Sequence, residues 1–97
     1  MSFVVVVSPA VKQEMAEAYE WYRSRSVKAA SAFRSEVLTA FELLSNDPER
    51  WPLWDESIRR FVLKKYPYTV YFSVYIDEVR ILAVGHHRRK TGYWITG

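Results

Sequence analysis

Nine residues near the carboxyl end alternate without a break. Val70, Phe72, Val74 and Ile76 are apolar, and Thr69, Tyr71, Ser73 and Tyr75 between them are polar or amphipathic. A period of two sends successive side chains to opposite faces, so residues 68–76 must form a strand with one buried face. Asp77-Glu78 then reads as a two-residue hairpin turn into a second strand over 79–85. In that register Val74 faces Ile81 and Phe72 faces Ala83 on the covered side. Tyr75 lies across from Arg80, Tyr71 from Val84 and Thr69 from His86 on the open side. A single bulge would exchange His86 and His87, because a one-residue slip turns every following side chain over.

The rest of the chain supplies a cover for the apolar face. Phe3 to Val7 is a β-branched run suited to a strand covered on both sides or inside a sheet. Ser8-Pro9 is a helix start, with Ser8 as cap and proline at the first helical position. Val11, Met15, Ala18, Tyr19 and Tyr22 then fall on one helical face. Arg23-Ser24-Arg25-Ser26 breaks that helix, and Ser26 caps a second one with Ala30, Phe33, Val37, Ala40, Phe41 and Leu44 in one stripe. Ser45-Asn46-Asp47-Pro48 ends it. Residues 47–57 hold two prolines and no period, a loop that Trp51 and Trp54 pin to the body. Residues 58–63 form one more strand. The order β-α-α-β-β-β predicts a two-layer α+β domain, spanning 1–97, with a helical hairpin packed on a mainly antiparallel sheet.

Composition narrows the chemistry. With no cysteine there is no disulfide, no thiolate nucleophile and no zinc-thiolate site. No apolar run reaches the ~20 residues of a membrane span, and the start lacks the pattern of a signal peptide, so a cytoplasmic protein is expected. Aromatic residues make up 16% of the chain, more than such a core requires, which favours a binding surface. Charge is divided: residues 1–57 carry six Lys or Arg against nine Asp or Glu, residues 58–97 eight against two. The positive field therefore belongs to the sheet, which suits a polyanionic target or an acidic partner.

That field is concentrated where the last strand runs out, in His86-His87-Arg88-Arg89-Lys90-Thr91-Gly92-Tyr93-Trp94. Imidazole titrates near neutral pH, guanidinium binds phosphate or carboxylate, and an aromatic ring can stack on a base or anchor the tail. Neighbouring histidines on a strand point to opposite faces and no carboxylate or cysteine stands at ligand spacing, so no metal and no cofactor is expected. Arg80 opposite Tyr75 sets up a cation–π contact worth ~0.5–1 kcal/mol. The helical glutamates, Glu14, Glu17, Glu20, Glu36 and Glu42, read as solvated faces.

Over nearly its whole length the chain resembles the RelE/ParE superfamily, the toxins of type II toxin–antitoxin operons. The resemblance is carried by Leu43-Leu44-Ser45-Asn46-Asp47-Pro48, then Arg59-Arg60-Phe61-Val62-Leu63-Lys64-Lys65-Tyr66-Pro67-Tyr68, then Ala83 through Trp94. The last segment is most like the ParE-type and "plasmid stabilisation" members. The resemblance implies growth inhibition or a stress response held silent by a cognate antitoxin, through one of two activities. ParE-type members poison DNA gyrase; RelE-type members cut mRNA in the ribosomal A site as metal-independent endoribonucleases. A degenerate member that only binds its antitoxin is the remaining alternative.

The nuclease pattern transfers incompletely. The arginine that commonly follows the strand-opening tyrosine is Thr69 here, and the lysine pair of the preceding strand falls on Arg60 and Val62. The catalytic Arg or His matches His87 and the tyrosine beyond it matches Tyr93. The resemblance thus implies His87, Tyr93 and Arg60 as catalytic only if the chain is an mRNA interferase. Target binding is expected at Arg60, His86, His87, Arg88, Arg89 and Tyr93, antitoxin binding at Tyr71, Tyr75 and Arg80, and gyrase is the expected target ahead of the ribosome.

Overall fold

The structure, a computed structural model, describes residues 2–90 and 92–95; Thr91 of the basic tail lies outside them. Its elements are β1 (Val4–Val7), α1 (Pro9–Arg23), α2 (Val27–Asn46), β2 (Arg59–Val62), β3 (Tyr68–Val74) and β4 (Glu78–His86), with a 3-10 turn at Pro48–Arg50. This is the expected α+β order, with the helical hairpin laid on a four-stranded sheet of order β1-β4-β3-β2. Both helix starts follow their caps: Val11 N–H donates to Ser8 Oγ at 3.2 Å and Ala29 N–H to Ser26 Oγ at 3.1 Å. The core sits between the layers. Phe33, Val37, Ala40 and Leu44 of α2 and Val11 and Ala18 of α1 close over Val70, Phe72, Val79, Ile81 and Val84.

Two expectations about the sheet are corrected. The valine run is not interior: β1 is an edge strand paired in parallel with β4 alone, and Val4 and Val6 are exposed on the outer face. A continuous β-branched run fits a half-covered edge as well as a buried strand, and periodicity cannot separate the two. The β3–β4 hairpin also turns earlier than the apolar alternation indicates. Tyr75 N–H donates to Glu78 O at 2.8 Å, and Ile76 stands at the tip, 96% exposed. The reason lies with β1: Val4 N–H donates to Asp77 O at 3.0 Å and Val4 pairs with Glu78, so β4 must already be extended there.

The register follows from that earlier turn. Val74 pairs with Val79, Ser73 with Arg80 and Phe72 with Ile81; a bulge then intervenes, and Tyr71 pairs with Ala83, Val70 with Val84, Thr69 with Gly85 and Tyr68 with His86. Leu82 is the extra residue on β4. It reverses the parity of all that follows, so His86 falls on the helix-covered side and His87 on the side of Thr69. The bulge alternative anticipated for the histidines is the one the chain adopts.

Candidate target-binding cleft

The outer face of the sheet is not bare at its centre. Tyr71, expected there as a displayed antitoxin contact, is only 8% exposed. The Trp54 ring packs on it at 5.4 Å and the Trp94 ring at 4.3 Å, and these two indoles meet at 5.6 Å. The loop before β2 and the tail after β4 therefore close over Tyr71 from opposite sides. Burying three aromatic rings in one stack outweighs leaving any of them in water. Gly92 makes the tail turn with φ of 81°, a backbone region in which a side chain would be strained.

Beside this stack a cleft of about 280 Å³ opens at the end of β3 and β4. Arg60, Arg89 and Lys90 supply its positive groups and His87 an imidazole, with Thr69, Tyr93 and Trp94 also lining it. β2 delivers Arg60 because it pairs with Tyr71 and so points outward. His87 is fixed from two directions: its N–H donates to Pro67 O at 2.8 Å, and its Nε2 lies 3.0 Å from Thr69 Oγ1. Arg60, His87 and Tyr93, set together by the nuclease pattern, do share this cleft. Thr69 occupies the position of the missing cation, buried and bonded to His87, so it orients the imidazole and contributes no charge.

His86 stands on the other side of the chain. Its ring meets Tyr68 edge-on at 5.0 Å, and its Nδ1 accepts the Arg88 N–H at 3.0 Å. An accepting Nδ1 is an unprotonated one. Burial first, then the charges of Arg88 and His87, hold its pKa below the usual histidine value of 6.5. The folded state thus binds fewer protons here than the unfolded state, so this contribution to stability is present above pH 6.5 and is lost as pH falls through the lowered pKa. Thermal melting between pH 8 and 5 should show a steeper loss of stability on acidification in the wild type than in His86→Asn.

Tyr93 is the most constrained of the expected site residues. Its hydroxyl donates to Glu14 Oε2, Arg89 stacks over its ring at 3.6 Å, and it packs on Gly85 so closely that a Cβ there would stand 2.9 Å from the ring. Burial, followed by the Glu14 hydrogen bond and charge, drives its phenol pKa well above the ordinary tyrosine value of 10.0. Glu14 was not legible as a site residue; the expectation of a solvated face is wrong for it. Glu36 is likewise engaged, accepting the Lys64 N–H at 2.6 Å. The signal for Glu14 was in its spacing: it falls three residues after Val11 and four before Ala18, both buried, on the core-facing stripe of α1.

Tyr75 and Arg80 do lie together, with the guanidinium 4.7 Å above the ring, although Tyr75 is in the hairpin loop and Arg80 also pairs with Glu78 at 2.5 Å. Tyr71 is not with them. Arg88, expected with the target-binding group, is exposed but does not line the cleft; it borders a groove with Trp21, Tyr68 and His86 on the helix side. Among the described residues, no group of three His, Cys, Asp or Glu side chains gathers to hold a metal ion, and no helix is long and apolar enough to cross a membrane.

The profile of the family described as "ParE toxin of type II toxin-antitoxin system, parDE" matches residues 5–91. The chain belongs to the ParE toxin family. Among solved structures, a chain of "Chromosomal ParDE TA system from P. aeruginosa" superimposes with a TM-score of 0.76 at 15% identity, over 88% of this chain and 96% of that one. At that identity the likeness carries the fold alone. No curated protein matches the sequence significantly. The ParE profile ends at residue 91, so Tyr93 and Trp94, which close the cleft, lie beyond what the family match covers.

Proposed function

We propose that this ParE-family toxin arrests growth by trapping DNA gyrase in the cytoplasm, without cutting RNA, and that a cognate antitoxin silences it. The observation that carries this reading is the state of Tyr93. RNA cleavage needs groups free to take and give protons and cations to hold the developing phosphorane charge. Here the phenol is committed to Glu14 and pushed away from neutral titration, the ring is covered by Arg89, and the Thr69 position brings no charge. What the cleft keeps is binding capacity: Arg60, Arg89, Lys90 and His87 around one opening.

Neutralisation is assigned to the outer face near β1. Exposed Val4 and Val6 adjoin Tyr75 and the Arg80–Glu78 ion pair, an apolar strip with a charged edge that suits a partner segment of apolar and charged residues. Transcript-end mapping after a short induction tests the activity. DNA-damage signalling with intact mRNA is expected. Abundant A-site ends that disappear in His87→Ala would replace this reading with the interferase one.

A further inference from the structure

Glu14 gathers more of the chain than any other carboxylate among the described residues. Beyond Ile81, β4 has no partner on its outer edge, because β1 stops at Val7. Val84 N–H would face nothing there; it donates instead to Glu14 Oε1 at 3.1 Å. The second oxygen takes the Tyr93 hydroxyl and pairs with Arg89 Nη1 at 3.5 Å. One side chain from α1, only 19% exposed, therefore holds a strand edge, a rim cation and the ring that walls the cleft. Among the described residues, the backbone ties the start of the tail to the β2–β3 turn through His87 N–H to Pro67 O, and beyond it adds only local turns: Arg89 N–H to His86 O, Tyr93 N–H to Lys90 O and Ile95 N–H to Gly92 O. The tie across to the helical layer runs through Glu14.

We propose that Glu14 is a positioning residue of the toxin: it touches no target itself, but fixes Arg89 and Tyr93 so that the cleft is already formed when the target arrives. The inference rests on the reading of the cleft as the target-binding site. The physical gain is preorganisation, since a tail that must be ordered at the moment of binding gives up part of its interaction free energy. A merely structural glutamate would cost stability and leave the potency of the folded protein alone. A positioning one costs potency in the folded protein.

Glu14→Gln separates these cases. It keeps the size and one oxygen for Val84 N–H, but loses the charge that faces Arg89 and the second acceptor. Ala40→Gly in the middle of α2, remote from the tail, serves as a control that lowers stability while leaving the Glu14 contacts intact. In wild type and both variants, amide hydrogen exchange is followed over residues 84–95, and potency is scored as the toxin level giving half-maximal growth arrest. The expected result for Glu14→Gln is exchange in 84–95 faster by about 10-fold or more, with potency reduced by about 10-fold, the scale of one lost hydrogen bond to a charged group. Ala40→Gly should keep both tail protection and potency. Unchanged tail exchange in Glu14→Gln overturns the proposal, as does faster exchange with full potency, or a potency loss that Ala40→Gly matches. Because potency is read as growth arrest, a wild type that arrests growth without trapping gyrase sinks the gyrase reading and leaves this comparison decisive. A wild type that arrests nothing overturns both.

Discussion

Reversing two exposed charges, Arg60→Glu in the cleft and Arg88→Glu in the basic run beside it, should abolish growth arrest while the protein remains folded. Both residues are exposed and neither side chain is among the hydrogen-bonded or ion-paired groups described, so together they should cost well under ~1 kcal/mol of stability, as surface substitutions do. Arg89 would be a poorer choice, because its tie to Glu14 and Tyr93 mixes binding with tail order. The pair changes the local charge by four units where an anionic or acidic surface is expected to dock, and like-charge juxtaposition at an interface costs several kcal/mol. Growth curves on induction, together with a melting temperature, separate the two effects. Full toxicity in the folded double variant would mean that the basic rim is only a solvated tail.

Phe33→Ala should have the largest effect on the fold. Phe33 is buried at the centre of an aromatic cluster, 5.2 Å from Tyr22, 5.3 Å from Tyr66 and 5.2 Å from Tyr68. It is where α2 meets α1, the β2–β3 turn and β3 at once. Removing a buried Phe leaves a cavity and costs about 3–5 kcal/mol, a large fraction of the ~5–15 kcal/mol available to a native domain. Chemical denaturation should show the unfolding free energy falling by that amount, with a correspondingly lower midpoint, or no folded baseline at all. A loss below ~1 kcal/mol would mean that the cluster is not the centre of the core.

The layer architecture was legible because its signals are local and repeated: the caps at Ser8 and Ser26, the stripe from Ala30 to Leu44, and the alternation from Thr69 to Val74. What escaped was set by long-range pairing. Ile76 continues the alternation by residue type, but β1 claims Asp77 and Glu78 and forces the chain to turn before it. Leu82 carries no mark of a bulge, yet it decides which histidine side chain meets Thr69. The rim itself was visible as a cationic run, and Arg60, His87 and Tyr93 do meet there. The tail's fold over Tyr71 was not, since nothing in Tyr71 or Trp94 alone indicates that they stack. Glu14 was hidden for a related reason: its partners, Val84, Arg89 and Tyr93, are seventy or more residues away.

The proposed toxin binds and traps gyrase rather than cleaving RNA. Purified protein incubated with gyrase, ATP and supercoiled plasmid, then treated with detergent and protease, tests this most directly. Linear plasmid should accumulate with toxin dose, only when gyrase is present, and should vanish when the antitoxin is added. Intact plasmid at every dose, alongside cut mRNA on programmed ribosomes given the same protein, would contradict it.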